Sequence, residues 1–256
     1  MISATILDTP PGTRRDNHRE VVRRLSGAQK SAKGAPAYSR FVNRPLGRHF
    51  AAAAFRLGLT PNAVTVVSAM FSFAGIATIA LVSPAWWTGV LVGLLLVIGY
   101  ALDAADGQLA RLQGGGSYAG EWLDHMMDAV KISSLHLAVL IGLYRFTDFR
   151  GTAWLLVPIG FAMVAAVLFF GMTLNDQLRR NRSASTGAVV DRGQSSTLRS
   201  LLVIPADYGL LCLVFLALGS TTLFFVIYTA VAVCTALYLA AASVKWFREM
   251  SRLGTS

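Results

Sequence analysis

The chain has 256 residues, 54% of them hydrophobic and only 14% charged, and its few charges sum to +10 at neutral pH. A soluble domain carries roughly 25% charged residues, and a nucleic-acid binder with this excess of Lys and Arg spreads them over a polar surface instead of clustering them between apolar runs. A mean hydropathy of +0.55 excludes a disordered chain as well, which leaves an all-α integral membrane protein with no nucleic-acid partner.

Residues 1–35 are polar and contain Pro10 and Pro11, with no apolar stretch followed by a small-residue cleavage site, so they read as a disordered cytosolic tail without a signal peptide. From Tyr38 the pattern changes. Tyr38, Phe41, Val42, Leu46, Phe50, Ala54 and Leu57 fall at helical spacing, while Arg40, Arg44 and Arg48 recur every fourth residue on another face. Residues 36–58 are therefore expected to form an amphipathic helix in the membrane interface, its arginines toward anionic headgroups, with Pro45 at a kink or a new first turn.

Six apolar runs follow, each close to the roughly 20 residues a helix needs to cross a bilayer. They cover 63–82, 86–102, 122–144, 152–174, 201–219 and 221–244, inside a membrane domain of residues 59–246, and residues 247–256 read as a C-terminal tail. Eleven Lys and Arg precede the first run, and Arg111, Arg179, Arg180, Arg182, Arg192, Arg199, Lys245, Arg248 and Arg252 fall on the same side of the alternation. The other side holds only Arg145 and Arg150. Cytoplasmic loops carry the positive excess, so both termini are expected in the cytosol.

Four of the 13 acidic residues, Asp103, Asp106, Asp124 and Asp128, gather at the cytosolic end of the second run and the start of the third. On a helix, residues three or four apart share a face, so each pair points one way. Four converging carboxylates without matching cations repel one another, and hard divalent ions such as Mg²⁺ or Mn²⁺ resolve that repulsion. Two such ions about 4 Å apart suit phosphoryl displacement. The alternative for any single Asp is a solvated helix end, which Asp124 would favour at a helix N-terminus. A divalent-cation transporter is the rival class, but it predicts carboxylates near the bilayer midplane and paired broken helices.

Asp103-Ala-Ala-Asp106-Gly107-Gln-Leu-Ala110-Arg111, eight residues, then Gly120-Glu-Trp-Leu-Asp124-His-Met-Met-Asp128 resembles the complete signature of the CDP-alcohol phosphotransferases. Thr60-Pro61-Asn62-Ala63-Val64-Thr65 resembles that family's entry to its first span. The resemblance implies that Asp103, Asp106 and Asp124 hold two divalent ions on the donor pyrophosphate, with Asp128 a shared ligand or the general base. It implies that Gly107, Ala110, Arg111 and Gly120 form the cytidine diphosphate pocket, lined by Asn62 and Thr65. The implied reaction is attack of an alcohol oxygen on the β-phosphorus with release of CMP, in phospholipid biosynthesis in a bacterial cell membrane, by a homodimer.

CDP-diacylglycerol is the expected donor, with a polar alcohol or alcohol phosphate as acceptor; a CDP-linked headgroup with a lipid alcohol, or with soluble inositol phosphate, is the alternative within the family. Lys131 shares the face of Asp124 and Asp128 and reads either as a screen for the carboxylates, as a contact to a substrate phosphate, or as a snorkelling lysine. Arg179 and Arg180 read as acceptor-phosphate contacts or as positive-inside anchors. Asp207, two residues after Pro205, reads as a group for the acceptor hydroxyl or as the cap of a helix break.

Overall fold

The computed structural model describes residues 17–27, 36–186 and 207–253, and every regular element among them is helical. In chain order these are α1 (His18–Gly27), a π-helical turn (Ser39–Asn43) running into α2 (Arg44–Arg56), α3 (Pro61–Leu81), α4 (Trp86–Leu112), α5 (Tyr118–Phe146), a 3₁₀ turn (Ala153–Leu155) running into α6 (Leu156–Thr186), α7 (Tyr208–Val214) with a 3₁₀ turn (Phe215–Gly219), and α8 (Thr221–Leu253). Five of them, α3, α4, α5, α6 and α8, are long and apolar enough to cross a membrane, and the protein is a multi-pass membrane protein. Helices satisfy their own backbone groups, the one requirement hydrocarbon imposes on every crossing segment.

Of the fifth apolar run, residues 201–206 lie outside the described residues. Its remainder, Tyr208–Gly219, is a shorter apolar helix. Elsewhere the helices outlast their apolar runs: α4 continues ten residues past 102 and α5 starts at Tyr118. Leu, Ala, Gln and Arg favour helix in water as well as in lipid, so the bilayer edge ends the apolar pattern without ending the helix. For the same reason the expected C-terminal tail is helical as far as Leu253.

The N-terminal expectation needs a larger correction, because within the supposed tail His18–Gly27 is a helix. Val21 and Leu25, four apart, are each about 1% exposed and join Ala51, Ala52 and Phe55 of α2 and Ala105 and Leu109 of α4 in a small juxtamembrane core. Burying two such side chains stabilises by roughly 3 to 6 kcal/mol before ordering costs, which explains how so polar a segment docks. Residues 1–16 and 28–35 lie outside the described residues.

α2 buries Gly47, Ala51, Ala52, Ala54 and Phe55, and Phe41 and Val42 of the turn before it and Leu57 just after it are exposed. The helix packs on α4 by its small residues, and its flanks turn a second apolar edge outward. The main core lies deeper, where Ile76, Leu96, Leu135, Val139, Phe215 and Tyr228 meet. α3 runs against both α4 and α5, whereas α4 and α5 approach each other little along their backbones. The wedge between those two helices is where the signature residues converge.

Candidate active site

Each wall of the wedge starts or stops at a defined cap. Thr60 caps α3 by accepting the Ala63 amide at 3.2 Å, with Pro61 in the first turn, and Ser117 caps α5 by accepting the Gly120 amide at 3.0 Å. α4 ends in a reversal in which the Gly115 amide donates to the Ala110 carbonyl at 2.9 Å. Gly114 and Gly115 take φ of 98° and 129° there, a region that side chains disfavour. Gly114-Gly115-Gly116 is thus a helix stop between α4 and α5.

These caps set the carboxylates face to face. Asp103 of α4 and Asp124 and Asp128 of α5 each offer an oxygen within 4.8 Å of the others. The donor set is all carboxylate, the chemistry that suits a hard divalent cation, and the spacing permits one ion to reach all three. Asp106 stands slightly apart and is 6% exposed. Its Oδ2 accepts the Thr65 hydroxyl at 2.6 Å, so the first transmembrane helix fixes the rotamer of a carboxylate on the second.

Lys131 does not snorkel. It is 6% exposed, and its Nζ lies 2.5 Å from Asp103 Oδ1 and 2.7 Å from Asp128 Oδ1. One ammonium offsets one carboxylate, so the group of four Asp retains a negative excess that draws in cations. Arg111, one turn beyond Gly107, interacts electrostatically with Asp106 and with Arg44 of α2. Asn62 Oδ1 lies 3.0 Å from where a side chain at Gly120 would begin. The signature glycine therefore lets the α3 entry close over the start of α5.

Arg179 is bidentate to Glu249 of α8, at 2.7 and 2.8 Å, and Arg180 meets Glu121, one turn before Asp124, at 2.5 Å. Both arginines are engaged in ion pairs, and Arg180 borders the aspartate wedge. Nothing in the sequence flagged Glu121 or Glu249, because their partners lie 59 and 70 positions away.

His125 turns its ring toward Phe169, at 6.3 Å, and stays outside the carboxylate group. Asp207 is a correction. It is 2% exposed; its Oδ2 accepts the Tyr38 and Ser39 amides at 2.9 and 3.4 Å, and its Oδ1 accepts the Gly209 amide at 3.1 Å. Both carboxylate oxygens are committed to backbone donors, so it caps α7 and the segment entering α2, the alternative role, and is not held open for an acceptor hydroxyl.

An apolar cavity of about 140 Å³ adjoins this end of the bundle between α5, α6, α7 and α8, lined by Leu135, Phe161, Leu168, Met172, Tyr208 and Val231 among others. The four signature carboxylates gather at one end of α4 and α5, not along a path through the bundle, which disfavours an ion-translocation route.

A family model described as CDP-alcohol phosphatidyltransferase matches residues 58–242. Over 83 residues the chain is 37% identical to a phosphatidylinositol phosphate synthase of Mycolicibacterium smegmatis, covering 32% of this chain and 36% of that protein. Over 86 residues it is 32% identical to an archaetidylinositol phosphate synthase of Pyrococcus horikoshii, covering 34% and 43%. The chain thus matches under half the length of these curated relatives. Among solved structures, a Mycobacterium tuberculosis phosphatidylinositol phosphate synthase with CDP-DAG bound is similar at a TM-score of 0.44 and 18% identity, over 78% of this chain and 92% of that one. A second structure of that enzyme, in complex with manganese and citrate, gives a TM-score of 0.42 and 19% identity, over 75% and 86%.

Proposed function

Because this chain belongs to the CDP-alcohol phosphatidyltransferase family, we propose that it transfers a phosphatidyl group from CDP-diacylglycerol to a phosphorylated polar alcohol, releasing CMP. The observation that carries the reading is the convergence of Asp103, Asp124 and Asp128 within 4.8 Å at the mouth of the α4–α5 wedge, with Asp106 held beside them by Thr65. Inositol phosphate is the acceptor we favour, supported by the names of the curated relatives.

These four carboxylates would hold the divalent ions, Mg²⁺ or Mn²⁺ and two in number. When bound, such ions neutralise charge on the donor pyrophosphate and on departing CMP. The chain's own residues do the rest. Asn62, Thr65, Gly107, Ala110, Arg111 and Gly120 seat the cytidine diphosphate, Gly107 by letting the backbone approach. Asp128 accepts the proton of the acceptor hydroxyl as its oxygen attacks the β-phosphorus and the bond to CMP breaks, and positioning supplies much of the rate. Lys131, paired with Asp103 and Asp128 in the free protein, passes from carboxylate partner to substrate-phosphate contact when the donor binds. Arg180 is the arginine we place nearest the acceptor phosphate, with Arg179 braced on Glu249 behind it.

The same reading puts the active site and both termini in the cytosol, α2 in the interface, the helix Tyr208–Gly219 within a sixth span, and the protein in a bacterial cell membrane as a homodimer. Purified protein with Mg²⁺ and CDP-diacylglycerol is expected to release CMP when inositol phosphate is supplied. Release with glycerol 3-phosphate, serine or phosphatidylglycerol instead would reassign the acceptor, and no release from any CDP-alcohol would overturn the assignment. The mass of the purified protein in detergent tests the dimer.

A further inference from the structure

A second cavity, of about 270 Å³, lies in the notch between α1 and α2 and shares no residue with the aspartate wedge. His18, Arg19, Arg23 and Ser26 of α1 and Arg48 and His49 of α2 line it, with Val22 contributing the apolar part. The notch is fixed in place by packing, since Val21 and Leu25 on the adjacent face of α1 are docked into the juxtamembrane core.

Among the described residues its lining contains no carboxylate. Three guanidiniums and two imidazoles border a volume that holds several waters, while the Ser26 hydroxyl donates to the Arg23 carbonyl at 2.6 Å. Arg48 Nε is buried and has no hydrogen-bond partner among the described residues. His18 Nε2 and His49 Nδ1 approach to 3.5 Å, their rings stacked with centroids 5.8 Å apart. The acidic side chain closest in sequence, Glu20, pairs with Arg23 at 2.9 Å and with Arg24 at 3.6 Å, which leaves Arg19 and Arg48 without a carboxylate among the described residues. Cations gathered around a wet cavity repel one another unless an anion joins them, and a ligand that only accepts hydrogen bonds, with several oxygens in a compact tetrahedron, matches such a lining.

The geometry points to this notch as a phosphate-binding site, separate from the active site and independent of the transferase reading. It takes the phosphate of either a soluble phosphomonoester or an anionic lipid headgroup. Occupied by a headgroup, it ties α1 to the membrane surface beside α2.

The test uses the full chain in detergent micelles, titrated with inorganic phosphate and followed by imidazole proton NMR. The chain has four histidines; His18→Gln and His49→Gln assign the two of interest, and His125 reports separately on phosphate entering the aspartate wedge. The His18 and His49 resonances are expected to shift saturably. In a second arm, nanodiscs of palmitoyl-oleoyl-phosphatidylcholine are compared with discs containing palmitoyl-oleoyl-phosphatidylglycerol. A shift in the lipid arm identifies a headgroup site, a shift with inorganic phosphate alone identifies a soluble ester, and no shift in either arm overturns the proposal. Arg48→Gln should weaken binding about tenfold, the loss of one charge-assisted contact. Arg19→Gln, at an exposed position that folding does not depend on, should do the same; unchanged affinity in that variant would equally overturn it.

Discussion

The two halves of the bundle are packed differently. In their most apolar stretches, α3, α4 and α5 are 50%, 44% and 39% buried inside the molecule, whereas α6 and α8 are 17% and 28% buried. In lipid there is little hydrophobic drive between helices, so close packing comes from small residues and interhelical hydrogen bonds. The first half has both: the Ser68 hydroxyl donates to the Gly99 carbonyl at 2.8 Å, and Ser72 is 1% exposed in the same seam. The second half presents Met163, Val167, Phe170 and Leu237 outward. The signature aspartates stand on the dense half, where side-chain positions are held by neighbours on two sides, and the loose half serves as wall and lipid contact.

The sharpest break in that contrast comes from the site. Asp128→Asn should lower CMP release about a thousandfold, the scale of a lost general base, while nucleotide binding persists in an equilibrium assay; normal turnover would remove Asp128 from catalysis. Lys131→Met removes the cation shared by Asp103 and Asp128. Leaving partly buried carboxylates uncompensated costs on the order of 3 kcal/mol. Thermal unfolding of that variant in EDTA should therefore fall below wild type, and added Mg²⁺ should raise it by more than it raises wild type.

Packing itself gives the next pair. Leu96, 0% exposed, lies in the dense half, and Leu237, 67% exposed, in the loose one. Leu96→Ala should cost about 2 kcal/mol, mainly the cavity and lost dispersion contacts, whereas Leu237→Ala should leave the melting temperature within error. Thr65→Val is the mildest at the site. It deletes the 2.6 Å hydrogen bond to Asp106, and turnover should fall about tenfold, the worth of one bond to a charged group.

Most of the dense half was legible in the sequence, because its logic is local. Three- and four-residue spacings put the aspartates on shared helix faces, whereas the Ser117 cap, which starts α5 four residues before its apolar run, went unread because the run alone set the expected start. The family resemblance placed Thr65 only in the lining of the nucleotide pocket, and its bond to Asp106, 41 residues away, came from the structure. What pattern could not give was pairing across distance. Arg180 with Glu121, Arg179 with Glu249, and His136 with Tyr228 at 2.7 Å each depend on how helices lean on one another. α1 escaped notice for a different reason: its stripe is two residues in a polar decamer, too short to outweigh composition until a docking surface is known.

The Asp207 cap bears on how the protein is made. Its carboxylate holds the amides of Tyr38 and Ser39 across 169 and 168 residues, so the segment leading into α2 cannot complete its hydrogen bonding until the ribosome has synthesised α7. Four membrane-crossing helices, α3 to α6, and the whole signature are made before that latch exists. The turn entering α2, among the first elements to emerge, is among the last to be locked, and truncation before residue 207 should leave it frayed even where the aspartate wedge has formed.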